Sequence, residues 1–292
     1  MNISRKWLLL QTVLMLFFEV QSTKAQSYFF KHYQVENGLS NNAIYCSTQD
    51  RNGFMWFGSR DGLNRFDGYH FKTYKASDPK NSLSPDLIYS IKPDKKGTLW
   101  VGSSKGLFYF DSQKDCLVSV IDTLKEINTI QIDNQNQIWF ITHFTLCRYN
   151  PQNQQLTLFP QSKFFPVSSL SMDDNGYIWV GTRDGYLQKF EAKTQKFQSF
   201  DVFAHSGRVS SKIIQTILCS GRNVYAGTVN QGLKVFDIQT ETYKDLLVYN
   251  DAKNIIHVRD IKQFAKDELW LATESGIFII GSIVNLGIEY NL

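Results

Sequence analysis

From about residue 40 onward, short apolar segments alternate with turn-forming clusters, and the alternation repeats along the chain. Each repeat opens with an apolar segment, and an Asp-x-x-Gly turn follows it in the repeats with Asp50, Asp94 and Asp173. Next comes a segment centred on a large aromatic residue, followed by a second turn. Two further segments complete the repeat, and the last of them is shorter and more polar. Four short strands in a period of about 40 to 45 residues are typical of a propeller blade. The pattern therefore predicts an all-β fold, a β-propeller of four-stranded antiparallel blades.

One aromatic residue marks each repeat, and successive markers lie 39 to 46 residues apart. Large apolar rings of this kind pack between neighbouring blades. We therefore predict that these six side chains form the structural core of the repeats: Trp56, Trp100, Trp139, Trp179, Tyr225 and Trp270. The consensus around them is D-x-x-G-x-x-W-x-G-[ST]-x-x-G-L-x-x-[FY]. The third repeat departs most from it, with Ile141 and Thr145 where the other repeats carry small residues.

Six repeats are visible, near residues 44–75, 87–120, 127–159, 167–200, 213–247 and 258–280. They are compatible with a closed six-bladed ring or with an incomplete seven-bladed propeller. Residues 28–35 precede the first repeat and resemble a lone fourth strand, so we expect them to pair with the last blade and cover its edge. Residues 281–292 do not resemble the fourth strand of the other repeats, and we expect an atypical tail there.

The first 25 residues predict export. Arg5 and Lys6 precede an apolar run that ends at Phe18, and residues 23–25 fit the small-x-small cleavage pattern of a signal peptide. The alternative is an uncleaved membrane anchor, but the apolar run is shorter than the ~20 residues that span a bilayer. We expect cleavage near Ala25, a periplasmic propeller over residues 26–280, and no transmembrane helix after the signal.

Composition narrows the picture mainly by exclusion. With 42% hydrophobic, 14% aromatic and 20% charged residues, the chain is not disordered. The net charge of +4 falls to +2 without the signal peptide, which is too weak to predict nucleic-acid binding. The four cysteines show no CxxC or zinc spacing, so we predict no metal and no cofactor. Their pairing cannot be assigned from spacing, and burial as free thiols is the favoured interpretation.

The repeat closely resembles the two-component regulator propeller repeat. The segments VENGLSNNAIYC and DRNGFMWFGSRDGLNRFDGYHFKTY resemble the start of the periplasmic sensor region of hybrid two-component sensors in Bacteroides-type gut bacteria. The resemblance covers residues 28 to about 280. It implies a sensor of oligosaccharides released from polysaccharides. Such sensors carry two seven-bladed propellers, a β-sandwich, a membrane helix, a histidine kinase, a receiver and a DNA-binding domain. This chain shows six repeats and no kinase motifs, which suggests a truncated or split sensor.

Candidate ligand-binding residues lie in the loops between blades and in the turns between the second and third strands. In a propeller these two sets of loops share one face around the axis, and such loops commonly carry function. The candidates are Asn41, Asn42, Arg60, Asp61, His143, Arg183, Asp184, Asn230, His257, Arg259 and Glu274. Planar amide, carboxylate and guanidinium groups suit sugar hydroxyls, and Phe144, Phe164 and Phe165 are candidates to stack on a sugar face.

Some of these candidates have a structural alternative. Asp61 and Asp184 each precede a Gly, and Asp-Gly is favoured in tight turns for its own geometry. Arg60 and Arg183 are equally compatible with surface ion pairs, which contribute little to stability.

The competing functional class is an enzyme, a glycosidase or lyase acting on polysaccharide. A glycosidase needs a pair of carboxylates at a set separation, and no such pair stands out. No Ser-His-Asp order, metal spacing or phosphate loop appears either. We therefore predict a binding module that is not an enzyme and does not bind nucleic acid. Its expected partners are an oligosaccharide and either the remaining propeller and sandwich domains of a sensor or a second sensor copy. A protein-interaction scaffold is the further alternative.

Overall fold

A computed structural model of the chain describes residues 31–75, 87–142, 145–159, 167–246, 256–265, 268–281 and 288–290. The chain divides into two units, residues 1–33 and 34–292. In the described part of the first unit, the Lys31 ammonium lies 4.9 Å from the centre of the Tyr33 ring. All of the strands belong to the second unit.

The described part of the second unit contains 24 strands in six antiparallel sheets of four. Blade 1 comprises β1 (Ile44–Gln49), β2 (Met55–Ser59), β3 (Gly62–Phe66) and β4 (Phe71–Tyr74), and blade 2 comprises β5 (Ile88–Pro93), β6 (Leu99–Ser103), β7 (Gly106–Asp111) and β8 (Cys116–Ile121). Blade 3 comprises β9 (Ile130–Ile132), β10 (Ile138–Thr142), β11 (Thr145–Asn150) and β12 (Gln155–Phe159), and blade 4 comprises β13 (Val167–Met172), β14 (Ile178–Thr182), β15 (Tyr186–Glu191) and β16 (Lys196–Asp201). Blade 5 comprises β17 (Ile214–Ser220), β18 (Asn223–Thr228), β19 (Leu233–Asp237) and β20 (Thr242–Leu246), and blade 6 comprises β21 (Val258–Ala265), β22 (Glu268–Thr273), β23 (Gly276–Gly281) and β24 (Ile288–Tyr290).

These sheets form a six-bladed β-propeller, and the predicted fold class is confirmed. Within each blade the four strands, called a to d in chain order, pair in the order a-b-c-d. Strand a of each blade packs against strand a of the next, from β1 and β5 through to β17 and β21. The a strands therefore lie nearest the axis, as the repeat predicts.

The expected pairing of the N-terminal strand with the last blade is wrong. Strand d of blade 6 is β24, which lies in the segment predicted to be an atypical tail and pairs with β23. Of the predicted N-terminal strand, residues 28–30 lie outside the described residues, residues 31–34 form no strand, and Val35 begins a 3-10 helix, Val35–Asn37. The helix forms because the Asn37 side chain accepts a hydrogen bond from the Gln34 amide and Gly38, at φ +107°, ends the turn.

The segment from the turn aspartate to the tryptophan is a hydrogen-bonded unit in blades 1 to 4, with Asn136 of blade 3 in the place that Gly holds in the other three. In blade 4, Asp173 Oδ1 accepts the backbone amides of Asn175 and Tyr177, which closes the a–b turn. Its other carboxylate oxygen, Oδ2, accepts the Trp179 indole N–H at 2.8 Å. The same indole-to-turn bond joins Trp56 to Asp50, Trp100 to Asp94 and Trp139 to Asp133. The aspartate therefore holds both the turn and the ring that packs on the next blade.

Each of these rings meets an aromatic side chain on strand c of the following blade. The ring centres are 4.7 Å apart for Trp56 and Phe110 and 5.6 Å apart for Trp179 and Phe236. The small residue two positions after the tryptophan is needed for this close packing. A Cβ atom on Gly58 would lie 2.5 Å from Ile88 Cγ2, inside van der Waals contact.

Candidate functional site

Backbone hydrogen bonds join the b–c turns to the segments that precede strand a. Amide-to-carbonyl bonds connect Arg60 to Ala43, Ser104 to Leu87, Val229 to Ile213 and Glu274 to His257. Blades 1, 2, 5 and 6 therefore bring their b–c turns and their incoming loops to the same end of the propeller. This end is the candidate functional site, and we call it the loop end.

A β-bulge lies at the start of strand a in five of the six blades. In each, the pairing of strands a and b skips the second residue of strand a. The skipped residues are Tyr45, Tyr89, Ser168, Gln215 and Arg259. A bulge leaves its extra residue out of the ladder and re-aims its side chain. Because the a strands lie nearest the axis and begin at the loop end, these five bulge residues lie on the inner strands of that end. The Ser168 hydroxyl donates to the Gly181 carbonyl on strand b.

Two of these bulge residues form an aromatic pair. The Tyr45 and Tyr89 rings lie edge to face, with centres 6.2 Å apart and an angle of 68° between planes. Tyr45 is 52% exposed although it is large and apolar. Burial raises the pKa of the Tyr89 hydroxyl, and the nearby Glu126 carboxylate and Tyr45 raise it further. Blades 1 and 2 therefore offer an accessible ring with an acidic group nearby.

A charged cluster occupies the same end of blade 6. Glu274, on the b–c turn, is bonded to the Arg259 guanidinium, and its Oε1 lies 3.2 Å from His257 Nδ1. The hydrogen bond from Arg259 is the largest influence on the pKa of Glu274 and lowers it. Loss of hydration opposes this shift, and the interactions with His257 and Arg259 leave the pKa below its usual value. The other ring nitrogen, His257 Nε2, is buried and has no hydrogen-bond partner.

Of the residues predicted from sequence, the structure brings His257, Arg259 and Glu274 together. The two asparagines have local roles, because the Asn41 side chain accepts the Ala43 amide and that of Asn42 accepts the Val35 amide.

The predicted b–c turn residues of the other blades have different surroundings. Asp61 forms an ion pair with Lys75 at 3.0 Å. Asn230 adopts the left-handed conformation, at φ +60°. Exposed side chains on these turns are those of Arg60, Arg183 and Asp184. Outside the described residues lie His143, Phe144, Phe164 and Phe165.

The sequence-based prediction missed Tyr45 and Tyr89. A signal for them exists, since Ile44-Tyr45-Cys46 and Ile88-Tyr89-Ser90 share the order β-branched, aromatic, small at the start of strand a. Alternation along a regular strand would place such a tyrosine on a blade face. Only the bulge makes it a residue of the loop end.

The cysteines of the propeller form no disulfide bonds. Cys46, Cys116, Cys147 and Cys219 are free thiols. Burial raises the pKa of Cys46, Cys147 and Cys219 to about 12, so these three are protonated and poor nucleophiles at neutral pH. Across the described ranges, no three His, Cys, Asp or Glu side chains cluster as metal ligands. The described residues form no helix that is long and apolar enough to cross a membrane.

Comparison with known proteins identifies the repeat. Residues 38–61, 82–105 and 166–184 match the family described as two component regulator propeller. Three of the six repeats, those of blades 1, 2 and 4, therefore match this family of repeats. A 66-residue segment of it is 41% identical to histidine kinase P4 of Formosa agariphila, and this match covers 22% of the chain and 5% of the kinase. The resemblance to sensor histidine kinases predicted from the motifs is confirmed.

Solved structures share the fold. The extracellular domains of the hybrid two component systems BT3049 and BT4673 from B. thetaiotaomicron superpose with TM-scores of 0.67 and 0.73, at 23% and 18% identity. They match 87% and 91% of the chain, but the chain spans only 36% and 38% of their lengths. Virginiamycin B lyase from Staphylococcus aureus also superposes, with a TM-score of 0.66 at 13% identity over 82% of this chain and 81% of the lyase. Because the fold occurs in sensor domains and in a lyase, it does not by itself decide between binding and catalysis.

Proposed function

We propose that the chain is the ligand-binding propeller of an exported two-component sensor, and that it recognises an oligosaccharide at the loop end. The observation that carries the proposal is the set of five bulge residues on the inner strands of the loop end. It combines an exposed aromatic ring with hydroxyl, amide and guanidinium groups, the groups that a sugar's apolar face and hydroxyls require. The repeats shared with a histidine kinase support the sensor role.

The charged cluster of blade 6 would contribute the orienting contacts. Its Glu274 carboxylate and Arg259 guanidinium are exposed and already oriented by each other, so binding a hydroxyl there costs little additional ordering. In this proposal the protein is periplasmic after cleavage near Ala25, and the remaining domains of a sensor or a second sensor copy receive the signal.

Isothermal titration calorimetry of the purified protein against a panel of oligosaccharides tests the proposal. We expect heat of binding with one structural class of glycan. The double variant Tyr45→Ala, Tyr89→Ala should then bind at least about ten-fold more weakly, because truncating a central aromatic contact typically costs over ~1 kcal/mol. The matched control is Tyr69→Ala on the c–d turn of blade 1, where the side chain is 85% exposed and lies away from the bulges.

Two results would count against this function. No heat with any glycan contradicts an oligosaccharide ligand. Release of new reducing ends or unsaturated products during incubation with polysaccharides supports the competing enzyme, for which the lyase superposition is the structural precedent.

A further inference from the structure

Lys234 carries a charge at a core position of the repeat that does not require one. It is the second residue of β19 and is 1% exposed, and Phe236, two residues along the same strand face, packs on Trp179 of blade 4. Its side chain is therefore buried in the junction between blades 4 and 5. Lys234 pairs with the strand b residue that follows the aromatic marker of the repeat. The residues with this pairing in the other five blades are all uncharged: Asn64, Phe108, Cys147, Gln188 and Phe278.

Four groups take the place of water around the Lys234 ammonium. Its Nζ donates hydrogen bonds to Asp245 Oδ1 at 2.6 Å and to the Ser206 hydroxyl at 3.0 Å. The same atom lies 4.4 Å from the centre of the Phe203 ring and 5.2 Å from that of the Tyr243 ring. Burial of an ammonium is costly unless an anion and hydrogen bonds compensate it, and aromatic faces attract cations. The surroundings of Lys234 therefore supply the interactions that a buried cation needs.

These four groups belong to two separate segments of the chain. Tyr243 and Asp245 lie on β20, which is strand d of the same blade. Phe203 and Ser206 lie within residues 202–213, which lead from β16 of blade 4 to β17 of blade 5. We call these residues the blade 4–5 crossover. Lys234 therefore joins the crossover to blade 5.

Further contacts fix the first part of the crossover around Lys234. The His205 amide donates to the Tyr243 hydroxyl at 2.6 Å, and the two rings are stacked with centres 5.9 Å apart. Phe203 fills the space beside Gly185, where an added Cβ atom would lie 2.7 Å from the ring. Residues 202–206 are therefore packed between the b–c turn of blade 4 and strand d of blade 5.

The rest of the crossover lies at the loop end. The Val202 amide bonds to the Gly185 carbonyl on the b–c turn of blade 4, and the Val229 amide on the b–c turn of blade 5 bonds to the Ile213 carbonyl. Between these two anchors, the exposed residues are Gly207, Arg208, Ser210 and Lys212. They face solvent at the end of the propeller where the ligand is proposed to bind, so their placement depends on the anchored residues on either side.

We propose that Lys234 is a positioning residue, which holds the blade 4–5 crossover at the loop end in the conformation that the ligand meets. An ordered crossover has less conformational freedom left to lose when a ligand binds, so the ligand binds more tightly. The inference deepens the proposed function and rests on it for the effect on the ligand. The order of the crossover can be measured without a ligand.

The Lys234→Met variant separates positioning from stability. Replacing buried ionic groups with apolar side chains of similar size is often neutral for stability. The Asp245 side chain is 45% exposed, so water can hydrate its carboxylate when the cation is absent. We therefore expect the variant to keep its fold and its melting temperature while the crossover loses an anchor.

Two further variants accompany it. Ser206→Ala removes one hydrogen bond on the crossover side and leaves the pair of Lys234 and Asp245 in place, so it is the milder test. Lys244→Met is the matched control, because Lys244 is an exposed lysine on strand d of the same blade.

Limited proteolysis with trypsin measures the order of the crossover, because the exposed Arg208 and Lys212 are trypsin sites. We expect Lys234→Met to be cleaved after these two residues at least about ten-fold faster than the wild type, since cleavage requires local opening of the segment. Ser206→Ala should be cleaved faster by a smaller factor, and Lys244→Met at the rate of the wild type. Mass spectrometry identifies the cleavage sites, and circular dichroism gives the melting temperature of each variant.

Calorimetry then measures the effect on the ligand. A glycan that the wild type binds should bind to Lys234→Met roughly ten-fold more weakly, because the crossover must be ordered during binding. Lys244→Met should bind it as the wild type does.

Several outcomes would overturn the proposal. Unchanged cleavage of Lys234→Met does so, and so does faster cleavage with an unchanged glycan affinity. Cleavage throughout the chain, together with a large fall in melting temperature, assigns Lys234 a purely structural role and also overturns it. If the wild type binds no glycan, the proposed function fails, whereas faster cleavage after Arg208 and Lys212 still supports the role of Lys234 in ordering the crossover.

Discussion

The junction between blades 4 and 5 and strand b of blade 6 contain the same repeat positions in different surroundings. In the junction, Trp179 is fully buried, donates to Asp173 and packs on Phe236, and the space beside Gly181 is filled by Ile214. On blade 6, Trp270 is half-buried and Ala272 is exposed. The comparison shows that the repeat specifies a blade with two apolar faces. Whether a given position is buried depends on what packs against that face.

The largest expected difference between the two regions is the stability that each tryptophan contributes. We expect Trp179→Ala to destabilise the protein by about 3 to 5 kcal/mol, the cost of truncating a fully buried aromatic side chain. Trp270→Ala should cost clearly less, since part of its surface already faces solvent. Urea denaturation followed by circular dichroism measures both free energies of unfolding. Equal losses would show that the two faces are packed alike.

The small residue after each tryptophan gives a second, smaller difference. A valine at Gly181 would place its Cβ 2.8 Å from Ile214 Cγ2 and Ser169 Oγ, and overpacking of this kind costs about 1 to 3 kcal/mol. We expect Ala272→Val, at the same register of blade 6, to change the melting temperature little. If Gly181→Val were equally neutral, the close approach of blades 4 and 5 would not be a constraint.

Acid stability should reveal the aspartates that hold the a–b turns. Burial raises the pKa of Asp94, but hydrogen bonds from Asn136, Trp100 and two backbone amides together outweigh it and hold the pKa below its usual value. A carboxylate with a lowered folded-state pKa stabilises the protein above its unfolded pKa of ~3.9, and this stability is lost as the pH falls through the folded-state pKa.

The Asp94→Asn variant lacks the ionised carboxylate and should therefore lose its pH-dependent contribution to the free energy of unfolding. The variant should be less stable than the wild type at pH 7. The difference should narrow as the pH falls from the unfolded pKa of ~3.9 through the lower folded-state pKa, because the unfolded carboxylate takes up its proton first. Blade 6 lacks this aspartate bond, since its Trp270 indole donates to Glu268. Urea titrations at a series of pH values measure the effect, and a constant difference between the two proteins down to acid pH would contradict it.

The fold was predictable because its determinants are local. The turn aspartate, the tryptophan six residues later and the small residue beyond it all act within one hairpin, so they recur as a readable motif. The error at the N-terminus has the same origin. Residues 28–35 alternate like a strand, but the Gln34–Asn37 hydrogen bonds and Gly38 favour a 3-10 turn, and β24 pairs with β23 in their place.

The candidate site was predictable only in part. His257, Arg259 and Glu274 were identified as loop residues. Their contact depends on a backbone hydrogen bond from Glu274, on the b–c turn, to His257, in the segment before strand a. Tyr45 and Tyr89 were not identified from the sequence, because a bulge shifts the register without changing the composition of the segment.

The amino-acid sequence by itself determined the four-stranded blade, the six repeats and the aromatic ring that marks each of them, because those features rest on interactions within about 40 residues of chain. It left open whether the ring has six blades or seven. The tertiary structure alone decided which residues from different blades come together at the loop end. That outcome depends on how six equivalent blades are arranged around the axis. A local motif that repeats in every blade does not specify which residues of other blades lie beside it.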